Sequence, residues 1–173
     1  MLTHPDNSSK SFTVRDRLLE IQPSVKQWGI SDREGIVHRL DKQTSGLIVC
    51  ALNEDIFKLL QTFFKERTIY KEYVCIVEGK LRTQSGNIEV PLSRSRHNRI
   101  KREVSSSEGR ISSSNFEVIL EGDTYSKLKI ELLTGRNHQI RSQMEFLGNP
   151  IVNDVLYGAK KVLELNENQI CPV

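Results

Sequence analysis

Asp41 is the residue of this chain whose surroundings most suggest chemistry. It stands in His38-Arg39-Leu40-Asp41-Lys42-Gln43-Thr44-Ser45-Gly46, a polar knot set between Ile36-Val37 and Leu47-Ile48-Val49-Cys50. A carboxylate placed beside apolar chain loses hydration, which disfavours its charged form. To stay ionised it needs a cation, best a guanidinium that binds both oxygens through two N–H groups. A lone aspartate held charged in a sheltered pocket can then act as a nucleophile or as a base.

Arg39 is too close in sequence to turn back on Asp41 with ease, and Arg141 suits the role better. Thr134-Gly135-Arg136 leads into a helix expected from about Asn137 to Leu147, stopped by Gly148 and Pro150. On that helix Ile140, Met144 and Leu147 share one face, and His138 and Arg141 share a neighbouring one. Its N-terminus offers N–H groups and positive potential to an anion, either a phosphate or the carboxylate of Asp41. A salt bridge that merely fixes the loop explains the same residues, and spacing alone leaves both readings open.

Other chemistries fit less well. His38, Asp41 and His138 have no close metal-ligand spacing, so no metal is expected. Asp41–Gly46 has the composition of a phosphate loop but lacks the G-x-x-x-x-G-K-[ST] frame. No G-x-S-x-G elbow exists for a serine hydrolase.

The elements that must position these residues belong to one domain of 173 residues, within the ~100–200 expected of a domain. With 37% hydrophobic and 27% charged residues the chain belongs with soluble globular proteins. No apolar run nears the roughly 18 residues of a membrane span. Cys50, Cys75 and Cys171 are odd in number and lack metal spacing, so they are read as reduced and the compartment as cytoplasmic. Net charge is only +3, but Ser93–Arg102 holds Arg94, Arg96, His97, Arg99, Lys101 and Arg102 with no acid among them. Such a tract is either a solvated loop or a track for a phosphate backbone.

Thr13 to Asp16 resembles a capping box, opening a short helix that ends before Pro23. Gly46–Leu52 reads as a strand covered on both faces. Asn53 caps a helix whose stripe of Ile56, Leu59, Leu60, Phe63 and Phe64 should be core. Lys71–Gly79 and Asn87–Leu92 read as strands, and Arg102–Ser114 as a mobile, Ser-rich loop. Ser114–Leu120 and Lys127–Leu133 form a hairpin through Glu121-Gly122-Asp123, with Phe116, Val118 and Leu120 alternating. Strands do not strictly alternate with helices, which points to an α+β fold.

HRLDKQTSG, KEYVCIVEG and TGRNHQIR…LGNPIVNDVLYG resemble three successive motifs of the RluA-type pseudouridine synthases, in that family's order. The likeness runs from about His4-Pro5 to Gly158. It lacks the strands that family members place before and after, so the catalytic domain is expected to be incomplete at both edges. The resemblance implies a mixed, mainly antiparallel sheet flanked by helices, with a central active-site cleft. It implies isomerisation of a uridine in ribosomal or transfer RNA to pseudouridine. The glycosidic bond breaks, the uracil turns, and C5 rejoins the ribose.

By the same resemblance Asp41 is the catalytic residue and Arg39 fills the space left by the flipped nucleotide. Tyr73 stacks on the base and handles the C5 proton, Arg141 pairs with Asp41, and Ile140 packs near the base. His38, Thr44, Arg136 and His138 are expected at the substrate, and Arg94, Arg96 and Arg99 on its phosphates. No cofactor is implied, and the enzyme is expected to act as a monomer. Ser142-Gln143 stands where many members carry Val-His. A uridine stacked in RNA must be extruded at a cost of a few kcal/mol, of which an aromatic face recovers about 1–3 kcal/mol. Tyr70 is the alternative stacking residue. The competing reading is an impaired RNA-binding protein derived from the same family.

Overall fold

The computed structural model describes residues 3, 12–28, 33–105 and 109–161, and the chain divides between Ile69 and Tyr70 into two compact units. His4-Pro5, Cys171 and Ser106–Glu108 lie outside the described residues.

In the first unit helix α1, Val14–Ile21, begins with the capping box read from sequence. Thr13 Oγ1 accepts from the Asp16 N–H at 3.2 Å, and Asp16 Oδ2 accepts from the Thr13 N–H at 2.9 Å. Leu18 packs with Val25 and Ile36 in a small core. Gly35 runs beside it at φ +69, where a Cβ would fall 2.7 Å from Leu18 Cδ2 and 2.8 Å from the Ala51 carbonyl. Only glycine fits that passage. Arg15 forks onto Glu34 through two hydrogen bonds of 2.5 and 2.8 Å.

Helix α2, Glu54–Glu66, is capped by Asn53, whose side chain accepts from the Ile56 N–H. Its buried residue is Phe57, set 5.5 Å from the Trp28 ring, and not the expected stripe. Ile56, Leu59 and Phe63 of that stripe are exposed. Periodicity reports that a face is apolar; it does not report what covers that face. Gly46–Leu52 is a second correction, since it forms no strand. It makes one isolated bridge, Cys50 to Ile36, and Leu47 is 91% exposed. An apolar run becomes a strand only where another backbone can satisfy its N–H and C=O groups.

The second unit is an antiparallel sheet of β1 (Glu72–Glu78), β2 (Ser85–Arg94), β3 (Arg102–Val104), β4 (Arg110–Glu121) and β5 (Tyr125–Leu132), in the order β1-β5-β4-β2-β3. Helix α3, Gln139–Phe146, contributes Met144 to a core with Val77, Ile88, Phe116, Leu128 and Ile130. Each such side chain contributes about 1.5–3 kcal/mol by leaving water. Gly148 at φ +81 ends the helical segment, as expected. The elements make an α+β fold.

Ser112, Ser113 and Ser114 correct the expected Ser-rich loop, for they are buried within β4. Ser112 Oγ donates to the Val90 carbonyl and Ser114 Oγ to Gln143 Oε1, each at 2.7 Å. Gln143 Nε2 in turn donates to the Ile88 carbonyl at 3.2 Å. A hydroxyl partnered in this way costs little to bury. The β4–β5 hairpin forms as expected, but a bulge between Val118 and Leu120 turns Leu120 outward.

Candidate functional site

In the first unit Asp41 lies on an excursion whose two ends are tied together. The Ile36–Cys50 bridge and the Ala51 N–H to Gly35 carbonyl bond of 2.8 Å close its base. Above them His38 Nε2 accepts from the Val49 N–H at 2.9 Å, and its ring stacks on Phe64 at 5.0 Å. An accepting Nε2 puts the proton of the neutral ring on Nδ1. The Thr44 N–H donates to the Asp41 carbonyl at 2.9 Å, closing the turn Asp41–Thr44. Asp41 is half-buried, while Arg39, Lys42 and Thr44 are exposed. The polar knot is therefore a braced turn that presents one carboxylate, with His38 as part of the brace.

The second unit gathers its polar residues around Tyr157, which sequence reasoning did not single out. The buried phenol accepts from the Arg102 N–H at 2.8 Å and shares a 2.8 Å hydrogen bond with His138 Nδ1. The Arg141 guanidinium lies 4.6 Å from the ring centroid, within cation–π range. Arg141 grips Asp154 in parallel, Nε to Oδ2 at 2.6 Å and Nη2 to Oδ1 at 2.8 Å. Burial pushes the Tyr157 phenol up, against hydrogen bonds and the Arg141 charge that act the other way. The one signal for Asp154 was its place as the sole acid in Asn149–Gly158.

His138 differs from expectation, because it precedes α3 in a left-handed conformation at φ +53. It still meets Arg141, across the Tyr157 ring and not along a helix face. The turn before it is closed by Gln139, whose Oε1 accepts from the Arg136 N–H at 2.9 Å and from the Thr134 hydroxyl at 2.7 Å. The Arg136 N–H expected to face an anion thus has a side-chain acceptor. Arg136 Nε donates to the Ile111 carbonyl at 3.1 Å.

Tyr73 is half-buried on β1 opposite Ile130 and packs on the core, as does Ile140 from α3. Tyr70 is exposed and donates its hydroxyl to Glu72 at 2.6 Å, a bond that raises its pKa. The basic tract is an ordered β2–β3 hairpin. The Ser95 N–H donates to the Lys101 carbonyl at 3.1 Å, and the buried Ser95 Oγ accepts from the His97 and Asn98 N–H groups. Arg94, Arg96 and Arg99 are exposed on it. Among the described residues, no group of three or more His, Cys, Asp or Glu is arranged to hold a metal ion. No helix among them is long and apolar enough to cross a membrane.

The antiparallel sheet backed by a helix and edged by a basic hairpin, and the unit bearing the braced aspartate turn, give the chain an α+β architecture. The fold is similar to that of Human RNA Pseudouridylate Synthase Domain Containing 1, with a TM-score of 0.68 at 30% identity over 84% of this chain and 60% of that one. Human RNA Pseudouridylate Synthase Domain Containing 4 shares the fold at a TM-score of 0.70, with 21% identity over 95% of this chain and 73% of that one.

The chain belongs to the RNA pseudouridylate synthase family, whose pattern matches residues 10–146. Among curated relatives, the ribosomal large subunit pseudouridine synthase D of Borreliella burgdorferi is 38% identical over 91% of this chain and 49% of its own length. The RNA pseudouridine synthase 2, chloroplastic, of Oryza sativa is 39% identical over 94% of this chain and 38% of its own. The chain spans about half the length of the first curated relatives it matches.

Proposed function

We propose that this chain isomerises specific uridines in ribosomal or transfer RNA to pseudouridine, with Asp41 as the catalytic residue. The observation that carries the reading is the family match over residues 10–146, the span in which Asp41, Tyr73 and Arg141 lie. The braced turn supports it by presenting Asp41 from a tied loop, since misplacing a reacting group by about 1 Å can cost roughly 100-fold in rate.

In this reading the target uridine is flipped out of its stack, and Arg39 occupies the space it leaves. Tyr73 stacks on the base and handles the C5 proton, with Ile140 beside it. Arg141 supplies the guanidinium that pairs with Asp41. Its Nε–Nη2 edge lies on Asp154, which sets the plane of the group. His38, Thr44, Arg136 and His138 border the substrate, and Arg94, Arg96 and Arg99 hold phosphates. The protein acts as a cytoplasmic monomer on structured RNA, as one catalytic domain and without a cofactor.

The test is incubation with ribosomal and transfer RNA transcripts, followed by mass spectrometry of the digested nucleosides. Pseudouridine is expected with the unmodified chain and not with Asp41→Asn. RNA binding without pseudouridine in either protein would favour an impaired RNA-binding relative instead.

A further inference from the structure

We propose that Arg94 and Arg102 form a clamp for an RNA phosphodiester at the root of the β2–β3 hairpin. The proposal rests on the RNA reading above and adds Arg102, together with the chemical group it takes. The two residues are Cα partners directly across the antiparallel pair, two positions from the Leu92–Val104 partners that face the core. Side chains alternate along a strand, so both arginines leave the sheet on that same face. Like charges set directly opposite each other destabilise a sheet. Among the described residues neither side chain has an ion-pair partner.

Arg102 carries a second liability. Its Nη1 is buried, and it is the one buried side-chain nitrogen or oxygen without a hydrogen-bond partner among the described residues. An orphaned buried donor in a native fold calls for an explanation. The other sheltered arginines differ, for Arg15 forks onto Glu34 and Arg141 onto Asp154. Where this fold shelters a guanidinium for its own sake, it supplies a carboxylate. At Arg102 the described residues supply none, yet they pin its backbone on both sides. The Arg102 N–H donates to the Tyr157 hydroxyl, and the Arg102 carbonyl accepts from Ser142 Oγ at 3.1 Å.

One anion between the two guanidiniums would offset their repulsion, held by Arg94 and by the N–H groups of Arg102 other than the buried Nη1. Forked donors match the paired oxygens of a phosphodiester. The neighbouring Lys101 is already paired with Glu145, so the charge facing that position comes from the arginines. Arg96 and Arg99 continue the positive row towards the hairpin tip, which suits a run of phosphates better than a single free one.

The experiment measures binding of a fluorescently labelled RNA stem–loop against sodium chloride concentration, for the unmodified chain, Arg94→Gln, Arg102→Gln and Arg102→Lys. Each Gln variant is expected to lose roughly three- to tenfold in affinity at about 0.1 M salt, with the log–log salt slope flattened by roughly 0.7–0.9. Arg102→Lys should keep the slope and lose part of the affinity, because it keeps the charge but not the fork. The melting temperature of the free Gln variants should hold or rise, since a repulsive pair has been removed. If Arg102→Gln does not fold, the exposed Arg94→Gln carries the test.

Affinity and slope unchanged in folded Gln variants would overturn the clamp. So would competition by millimolar inorganic phosphate beyond its effect at matched ionic strength, which marks a small-anion site. Pseudouridine formation with an unmoved slope refutes the clamp alone. RNA binding that responds as expected, without pseudouridine, leaves the clamp and refutes the enzymatic reading.

Discussion

Arg141 and Asp154 meet fork to carboxylate, at 2.6 and 2.8 Å, with side chains only 15% and 9% exposed. The pair lies thirteen residues apart in sequence, in α3 and in the turn before the short 3-10 segment Val155–Tyr157. Using both oxygens fixes the guanidinium in plane as well as in place, which a lysine at this position could not reproduce. Tyr157 beneath the guanidinium then ties it to Arg102 and to His138.

Asp154→Ala leaves the Arg141 charge sheltered without its carboxylate. Removing one member of a buried pair costs about 3–5 kcal/mol, and partial exposure places this pair near the lower end. A fall of roughly 6–12 °C in melting temperature is expected for a chain of this size. Asp123, whose side chain is fully exposed, should tolerate the same substitution. An equal effect at both positions would remove the special place given to the Arg141 pair.

Asp41→Asn should abolish pseudouridine formation while RNA binding and melting temperature stay within error. The turn that carries Asp41 is closed by its carbonyl and the Thr44 N–H, which the substitution leaves intact. Residual turnover close to that of the unmodified chain would refute Asp41 as the catalyst.

Arg96→Ala and Arg99→Ala together should weaken RNA binding and flatten its salt dependence by roughly 1.4–1.8 in slope, as two lost phosphate contacts predict. The same loss across unrelated RNA sequences is expected, because phosphate contacts carry no base information. Binding that did not change would separate the hairpin tip from the RNA.

Cys75 should erode stability in alkali. Burial pushes its thiol up from 9.0 to about 12 in the folded chain. The unfolded thiol therefore loses its proton first, so the stabilisation is complete below pH 9.0 and declines as pH rises towards about 12. Urea melts across that range should show the decline, and Cys75→Val should reduce it. In the native state near pH 8 the thiol should resist iodoacetamide until urea unfolds the chain.

Local features were legible where the chain answers to its near neighbours. Thr13 and Asp16 form their box within one turn, and Asn53 caps α2 in the same way. The hairpin of β4 and β5 followed from alternation and a Glu-Gly-Asp turn, until a single extra residue at the bulge reversed Leu120. The serines of β4 were misread because a serine run has the composition of a loop. Their burial depends on Val90 and Gln143, distant acceptors that no window around them contains. His138 was placed on a helix face because the 3.6-residue period continues through it, whereas the Gln139 side chain closes the turn and the helix begins only at Gln139.

By itself the sequence determined the family, the acid that stands in its first motif, the basic run and most of the strands, all carried by residue types at short spacing. Only the tertiary structure decided that Arg141 lies on Asp154, that Tyr157 joins His138 to Arg102, and that Arg102 keeps a buried nitrogen without an acceptor among the described residues. The physical reason is one of range. Caps, turns and alternation are settled by neighbours along the chain, while the partner of a buried charge is whichever group folding brings within about 3 Å.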